Sequence, residues 1–215
     1  MDEHTILVKG IGNIKAKPDI IILSLTLTTT TPEYIKTTEL AALELETLRK
    51  AFISTGHEES TLKTTSFNIH AEYEHYNDAY GNRRQKFKGY SCVHCLKLEF
   101  DLDMKLLGET LAAMSETKTN PRFEINFSIK DKNAIQADLL ENAVFNAMEK
   151  ASILAKASGV SLGNIKHINY SWGELHVHSR AEYSTIDSII APCAIKIEPE
   201  EVEVNDTVTV VWEIQ

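Results

Sequence analysis

The chain of 215 residues lacks a long hydrophobic run and has few cysteines. No stretch of about 18 apolar residues occurs, so no helix that crosses a membrane is expected. Met1–His4 is acidic, and the first apolar residues alternate with polar ones instead of forming the apolar region of a signal peptide. Three cysteines, an odd number, fit a reducing compartment better than a disulfide framework. We therefore expect a cytoplasmic location, or a periplasmic one if a signal peptide was removed.

The sequence also lacks the short motifs of common enzyme sites. It has no G-x-S-x-G elbow, no P-loop and no H-E-x-x-H pair, and no spacing orders its serine, histidine and aspartate residues into a triad. Gly10 and Gly12 are not followed by a third glycine that opens a helix, which excludes a dinucleotide-binding fingerprint. These glycines instead permit positive φ or a close approach of backbones. We expect no enzyme activity, no catalytic residues and no cofactor.

Basic residues are fewer than acidic ones, 22 against 31, and the formal net charge is −9. Nucleic acids and anionic membranes are bound through clustered lysine and arginine, so neither is expected as the main partner. The largest basic cluster is the short run Arg83–Lys88, which lies between predicted strands. A hydrophobic fraction of 43% with 25% charged residues is typical of a globular protein.

Hydrophobic periodicity predicts an α+β fold. Thr31 and Pro32 supply a cap and a first helical residue for one helix, and Asp103 supplies the cap of the next. A third, alanine-rich helix is long and presents small side chains for close packing on a sheet or on a neighbouring subunit. The predicted strands are 5–12, 19–30, 62–76, 86–101, 122–130, 164–172 and 204–214, and the predicted helices are 32–55, 103–116 and 132–158. The residues predicted to face inward on the third helix are Ala137, Leu140, Val144, Ala147, Ala151 and Leu154.

The order of elements from residue 19 to 130 is β-α-β-β-α-β. This order predicts a ferredoxin-like core, which is an antiparallel sheet with both helices on one face. The extra long helix, a loop and closing strands occupy 131–215. We expect one domain spanning 1–215.

The hairpin of 62–101 is longer than a helix of roughly 14 residues, about 21 Å, can cover. Its outer part, residues 73–88, is therefore expected to project as an arm with unpaired edge groups, which proteins usually cover or pair. We predict that the arm contacts a neighbouring subunit. The residues predicted at this interface are the anchors Tyr73, Tyr76 and Tyr80, with Arg83 and Arg84 meeting acidic residues.

A second hypothesis is a metal- or small-molecule-binding enzyme. His70, Glu72 and Glu74 have the period of one strand face, and a facing strand could add His94. An exposed polar strand face is the alternative interpretation of the same residues. His176 and His178 offer two imidazoles in a loop of 173–192, but two ligands alone leave a zinc or copper site incomplete.

Cys92 and Cys95 have the C-x-x-C spacing of redox and zinc sites. They lie within a predicted strand, where residues three apart point to opposite faces. We therefore predict that their thiols diverge and form no disulfide with each other.

Five segments in this order resemble the SIMPL-domain family, the bacterial relatives of a mammalian kinase-associated signalling protein. The segments are Val8–Asp19, Thr65–Ile69 running into Glu72–Glu74, Gly89–Tyr90, Ala143–Val160 and Ile197–Ile214. The resemblance covers nearly the whole chain. It implies a shared fold and manner of assembly, and it offers no established catalytic residues.

The family includes periplasmic and surface-antigen members, some linked to stress tolerance and some forming large ring-like or channel-like homo-oligomers. The resemblance therefore implies a non-enzymatic protein that acts through homo-oligomeric assembly and partner binding, with a role in stress response. The expected partners are further copies of the chain and another protein.

Overall fold

The computed structural model describes residues 4–77, 80–170, 179–180 and 199–215. These residues form helices and antiparallel strands, which confirms the predicted α+β class. The elements are β1 Thr5–Ala16, β2 Ile20–Thr31, α1 Tyr34–Ser54, a 3-10 turn Glu59–Thr61, β3 Leu62–Asn77, β4 Arg83–Asp101, α2 Met104–Glu116, β5 Arg122–Ser128, α3 Lys132–Ala157, β6 Leu162–Asn169, β7 Ser179–Arg180 and β8 Val202–Ile214.

The described residues form two compact units. Those within Met1–Asp19, Ser128–Ser179 and Pro199–Gln215 make up one, which we call the terminal unit because it contains both chain ends. Those within Ile20–Phe127 and Arg180–Glu198 make up the other, which we call the central unit. The expectation of a single domain stays a prediction.

The central unit contains a five-stranded sheet with the strand order β3-β4-β2-β5-β7. β4 pairs antiparallel with β2 on one side and with β3 on the other. The chain follows the order β-α-β-β-α-β through this unit. The more specific ferredoxin-like arrangement stays a prediction.

One apolar core joins both helices of the central unit to its sheet. Ile20–Leu23 of β2 are all buried, and from Leu23 to Thr29 alternate side chains are buried, which is the period of a strand with one covered face. α1 and α2 contribute to the same core cluster as these β2 residues, so both helices cover this face. The fully buried members from these three elements are Ile21, Leu23, Leu25 and Leu27 from β2, Leu48 and Phe52 from α1, and Leu107 from α2.

The terminal unit brings the first and last strands together. β1 pairs antiparallel with β8 along its whole length, from Thr5 opposite Glu213 to Ala16 opposite Val202, and β6 lies on the other side of β8. α3 packs on this sheet and buries a row of alanines against Val208, Val210 and Trp212. From Val208 to Trp212 of β8, the buried residues alternate with half-buried ones, which is the period of a strand with one covered face.

The inward face predicted for α3 is partly wrong. Ala147 and Ala151 are buried, but Val144 and Leu154 are exposed, and the row of buried residues is Leu139, Ala143, Ala147, Ala151 and Ala155. The cause lies in β1, because a Cβ built on Gly10 would be 2.0 Å from the carbonyl oxygen of Ala143 and one on Gly12 would be 2.1 Å from that of Leu139. The two glycines therefore serve a close approach of strand and helix.

The caps of the first two helices differ. Asp103 caps α2 as predicted, since its carboxylate accepts hydrogen bonds from the backbone of Lys105 and Leu106 at 2.9 and 3.0 Å. The predicted start of α1 at Pro32 is wrong, because Thr31 still pairs with Tyr90 as the last residue of β2. The N-cap of α1 is Glu33, whose side chain makes no capping hydrogen bond.

Candidate interaction site

The ribbon of β3 and β4 extends beyond the rest of the central sheet. β2 ends where Thr31 pairs with Tyr90, whereas β3 and β4 continue to pair as far as Asn77 opposite Arg83. We call residues 73–88 the arm, and its strand residues 73–77 and 83–87 pair in the described ladder only with each other. A two-stranded ribbon without further support is marginally stable in water. The structure places the predicted arm where the sequence indicated.

The base of the arm is bent by a β-bulge. Glu72 pairs with Gly89 and Tyr73 pairs with Phe87, so Lys88 is an extra residue on β4. A bulge of this kind bends its strand and increases the local twist. Gly89 has φ of +155°, and a Cβ on it would lie 2.4 Å from the carbonyl oxygen of Thr31. Only glycine therefore fits where the backbone of β4 lies against the end of β2.

A chain of four aromatic rings connects α1 to the arm. Tyr34 and Tyr90 have ring centroids 5.4 Å apart, Tyr90 and Phe87 are 5.3 Å apart, and Phe87 and Tyr73 are 5.8 Å apart. Interplanar angles of 88°, 71° and 71° make every contact edge-to-face, which is a favoured geometry for aromatic pairs. Tyr90 is half-buried, and the other three rings are exposed. We call these four residues the aromatic chain.

The predicted interface residues lie on the surface of the arm. Tyr73, Tyr76, Tyr80, Arg83 and Arg84 are all exposed, and Tyr80 reaches 90%. Strand alternation puts Tyr73 on one face with Phe87, and Tyr76 on the other with Arg84. Their contact with another subunit stays a prediction. The sequence did not indicate Tyr34, Phe87 and Tyr90, because their contacts depend on strand register and on the packing of α1.

Charges along the arm are unequally distributed between its strands. Arg83–Lys88 contains four basic residues and no acidic one. On β3, Glu72 forms an ion pair with Lys88 at 3.4 Å, and Glu74 lies directly across the ladder from Lys86. Glu72 and Glu74 lie near the base, whereas residues 75–85 at the tip include Arg83 and Arg84 with one acidic residue, Asp78, so the tip is basic by one charge.

The structure does not bring the four candidate metal ligands together. His70, Glu72 and Glu74 share one face of β3, but His94 pairs with Phe67 and lies on the opposite face. The register of β3 shifts by one residue between Thr64 and Ser66, and a shift of one residue moves every later side chain to the other face. Within the residues that the structure describes, no group of three histidine, cysteine, aspartate or glutamate side chains is arranged to hold a metal ion.

His94 is instead a buried residue of the sheet. It is 5% exposed, its Nε2 lies 2.9 Å from the hydroxyl of Thr64, and its ring packs edge-to-face with Phe67 at 5.0 Å. Burial lowers the pKa of His94, because the charged imidazolium would lose its hydration. Its Nδ1 has no hydrogen-bond partner among the described residues.

Cys92 and Cys95 are free thiols on opposite faces of β4, as predicted. Cys92 is buried beside Thr29 and Ile69, and Cys95 lies across the ladder from Thr26 and Ser66. Burial, and then the charge of Glu44, raises the pKa of the Cys92 thiol. A raised pKa is typical of a packing cysteine rather than a reactive one.

Several sequence features lie outside the described residues. They include the loop of 173–192 apart from Ser179–Arg180, with His176 and His178, and the third cysteine, Cys193. The hypothesis of a site in that loop stays untested. None of the helices in the described ranges combines enough length and apolar character to cross a membrane.

Residues 6–212 match the SIMPL family, which is described as a protein of unknown function (DUF541). The match covers nearly the whole chain. The chain belongs to the SIMPL family. The resemblance stated from the sequence is thereby confirmed, and no enzymatic role is known for the family.

Two relatives of this SIMPL chain are proteins of Brucella. The "26 kDa periplasmic immunogenic protein" of Brucella melitensis biotype 1 is 26% identical over 216 residues, which cover 98% of this chain and 84% of the relative. The protein of the same name from Brucella abortus strain S19 is also 26% identical over the same shares. Both names contradict the expected cytoplasmic location, which is wrong. That expectation depended on the start of the chain and on an odd cysteine count, and neither outweighs a relation to periplasmic proteins.

Proposed function

We propose that this SIMPL protein is a non-enzymatic periplasmic protein that acts through homo-oligomeric assembly, with the arm as its contact with a neighbouring subunit. The observation that carries the proposal is the ribbon that continues past Thr31 and Tyr90 with no third strand beside it among the residues that the structure describes. In the described sheet, the outer edges of β3 and β4 in the arm pair with no further strand, and proteins usually cover strand edges of this kind.

The side chains of the arm suit a protein interface. Tyr73, Tyr76 and Tyr80 are exposed aromatic residues, a type enriched in interface cores. Truncating such anchors is often costly to binding, whereas most surrounding contacts contribute little. We infer that these tyrosines pack against the neighbouring copy.

Charge also favours a second copy of the chain as the occupant. The run Arg83–Lys88 is basic, while the chain as a whole carries −9. A basic tip approaching an acidic copy of the same protein is attracted over long range, and the contact fixes its orientation. The interface should therefore weaken as ionic strength rises.

The experiment that tests this proposal is a deletion matched to the strand register. His75–Gln85 would be replaced by Asn-Gly, which forms a two-residue hairpin turn directly after the pair of Glu74 and Lys86. The variant removes Tyr76, Tyr80, Arg83 and Arg84 but keeps the base of the arm. We expect a folded protein with a smaller assembly by sedimentation velocity.

Charge reversal on the arm provides a second test, and charge reversal elsewhere provides its control. Arg83→Glu with Arg84→Glu should also reduce the assembly size, while Lys105→Glu, at an exposed position on α2, should leave it unchanged. If the shortened arm and the reversed charges both give the sedimentation profile of the unaltered protein, the arm is not the interface.

The proposed location can be tested independently of assembly. The two Brucella relatives are named periplasmic, and we extend that location to this SIMPL chain. Fractionation of cells that express the natural gene should recover the protein with periplasmic markers. Recovery with cytoplasmic markers would contradict the proposal.

A role in stress response is the last part of the proposal, and its support is the family resemblance. Cells without the gene should survive oxidative or acid stress less well than the parent. Complementation with the natural gene should restore survival, and complementation with the shortened arm should not. Equal survival of the parent and the deletion strain would remove this role.

A further inference from the structure

We infer that Gly89 and the aromatic chain together set the direction in which the arm leaves the central unit. The inference rests on the proposed function only where it concerns assembly. Two features contribute, namely a close backbone contact at Gly89 and a series of ring contacts from α1 to the arm.

The close contact of Gly89 with the end of β2 fixes the base of the ribbon. Gly89 lies against the carbonyl group of Thr31 and within 3.2 Å of the Cα of Pro32, measured from a Cβ built on the glycine. Both are backbone atoms, so a side chain at Gly89 could be accommodated only by moving β4 away from the end of β2. The bulge at Lys88 follows at once, where the ribbon bends.

The aromatic chain supports the ribbon on one face. Tyr34 is the first residue of α1, and Tyr90 is where the pairing of β4 with β2 begins. Phe87 and Tyr73 face each other across the arm. Each ring contacts the next edge-to-face, so the arm rests through Tyr90 on a helix that is itself anchored in the core. The hydroxyl of Thr37 in α1 also donates to the carbonyl oxygen of Tyr90 at 3.3 Å.

A small change at the base would matter at the tip. At about 3.3 Å per residue, the arm reaches roughly 15 Å beyond its base, so a rotation of about 20° would move its end by roughly 5 Å. Such a displacement separates interface side chains that must meet partners on another copy. Tyr90 is therefore a positioning residue for the interface and need not contact the partner.

The test measures the direction of the arm inside one chain. Spin labels would be attached at Lys50→Cys on α1 and Asn77→Cys at the end of β3, in a chain whose three native cysteines are replaced by alanine or serine. The labelled chain is mixed with an excess of unlabelled chain, so that double electron–electron resonance reports the distance between the two labels within one subunit. Circular dichroism verifies that each variant is folded.

Tyr90→Leu and Gly89→Ala should shift or broaden the distance distribution. Two matched controls should keep it, namely Gly81→Asn, which changes a glycine with no atom within 4 Å of its built Cβ, and Tyr76→Leu, which removes a ring from the opposite face of the arm. If Gly89→Ala fails to fold, Tyr90→Leu and Phe87→Leu still decide the outcome. Unchanged distributions in the folded variants would overturn the inference.

Sedimentation of the same variants separates the inference from the proposed function. If Tyr90→Leu alters both the distance distribution and the assembly size, the direction of the arm governs assembly. If it alters the distribution but neither it nor Tyr76→Leu alters the assembly size, the arm is directed as inferred but is not the interface, and the proposed function fails.

Discussion

Gly10 and Gly12 lie so close to the backbone of α3 that neither position has room for a side chain. Gly10→Ala would place a methyl group 2.0 Å from the carbonyl oxygen of Ala143, and Gly12→Ala one 2.1 Å from that of Leu139. Separating strand and helix to admit the methyl group disrupts a packed core. We expect each variant to lower the free energy of unfolding by about 2 to 3 kcal/mol in urea titrations.

Gly108 provides the control for this prediction. It lies within α2, and no atom comes within 4 Å of a Cβ built on it. Gly108→Ala should be neutral or stabilise the protein by about 0.5 to 1 kcal/mol, because alanine favours a helix. Equal effects of Gly108→Ala and Gly12→Ala would show that β1 and α3 are not packed as described.

His57 should make the stability of the central unit depend on pH. The residue is buried, it packs edge-to-face between Phe52 and Phe100, and its Nε2 lies 2.7 Å from the hydroxyl of Thr110. That hydroxyl donates to the carbonyl oxygen of Leu106, so it accepts from Nε2 of the neutral ring. Burial lowers the pKa of His57 from its ordinary value of 6.5.

The unfolded chain therefore binds the proton more readily than the folded chain. The stabilisation is present above pH 6.5 and is lost progressively as the pH falls below 6.5 toward the lower folded pKa. Burial of His94 acts in the same direction. His57→Gln removes the titrating ring and should flatten the fall in urea midpoint below pH 6.5, whereas His70→Gln, at an exposed position, should leave it in place. An identical pH profile for His57→Gln would contradict this account.

At the scale of secondary structure, the cap of α2 is the feature that the sequence indicated most directly. Asp103 bonds two backbone N–H groups at the helix start. Asp103→Ala leaves both without a partner and should lower the free energy of unfolding by about 1 kcal/mol, while Asp103→Asn should retain most of the stability because asparagine caps well. Thermal denaturation of the two variants would measure the difference, and equal loss in both would exclude capping as the cause.

The sequence predicted which elements form but not always the face that each one buries. α3 carries apolar residues on several sides, including exposed Phe145, Met148 and Ile153. Hydrophobicity therefore could not identify its inner face, which is selected by the small residues that fit against Gly10 and Gly12. The size of the partner strand's side chains decided the face, and that information lies more than 120 residues away in the sequence.

The candidate site, too, could be predicted from the sequence only in part. The length of the hairpin predicted the arm, but the one-residue bulge near Thr65 could not be predicted from strand alternation. Without that bulge, His94 would share a face with His70 and Glu72, as the metal hypothesis required. The aromatic chain was missed for a related reason, since Tyr34 comes from a helix and meets Tyr90 only in the folded structure.

At the scale of the whole molecule, the two units have separate cores. The core of the central unit draws only on residues within Ile20–Phe127, and the cores of the terminal unit draw on β1, α3 and β8 with their neighbours. No buried residue is shared between these described clusters. Opening of one unit therefore need not expose the core of the other.

We predict that the units lose protection from hydrogen exchange independently. Val210→Ala creates a cavity in the terminal unit and Leu25→Ala one in the central unit, and each residue is almost fully buried. Each variant should increase amide exchange in the strands and helices of its own unit by roughly tenfold or more, with little change in the other. Mass spectrometry of peptides from β8 and from β4 measures both units in one sample. Equal acceleration in both units by either variant would instead show one cooperative domain spanning 1–215.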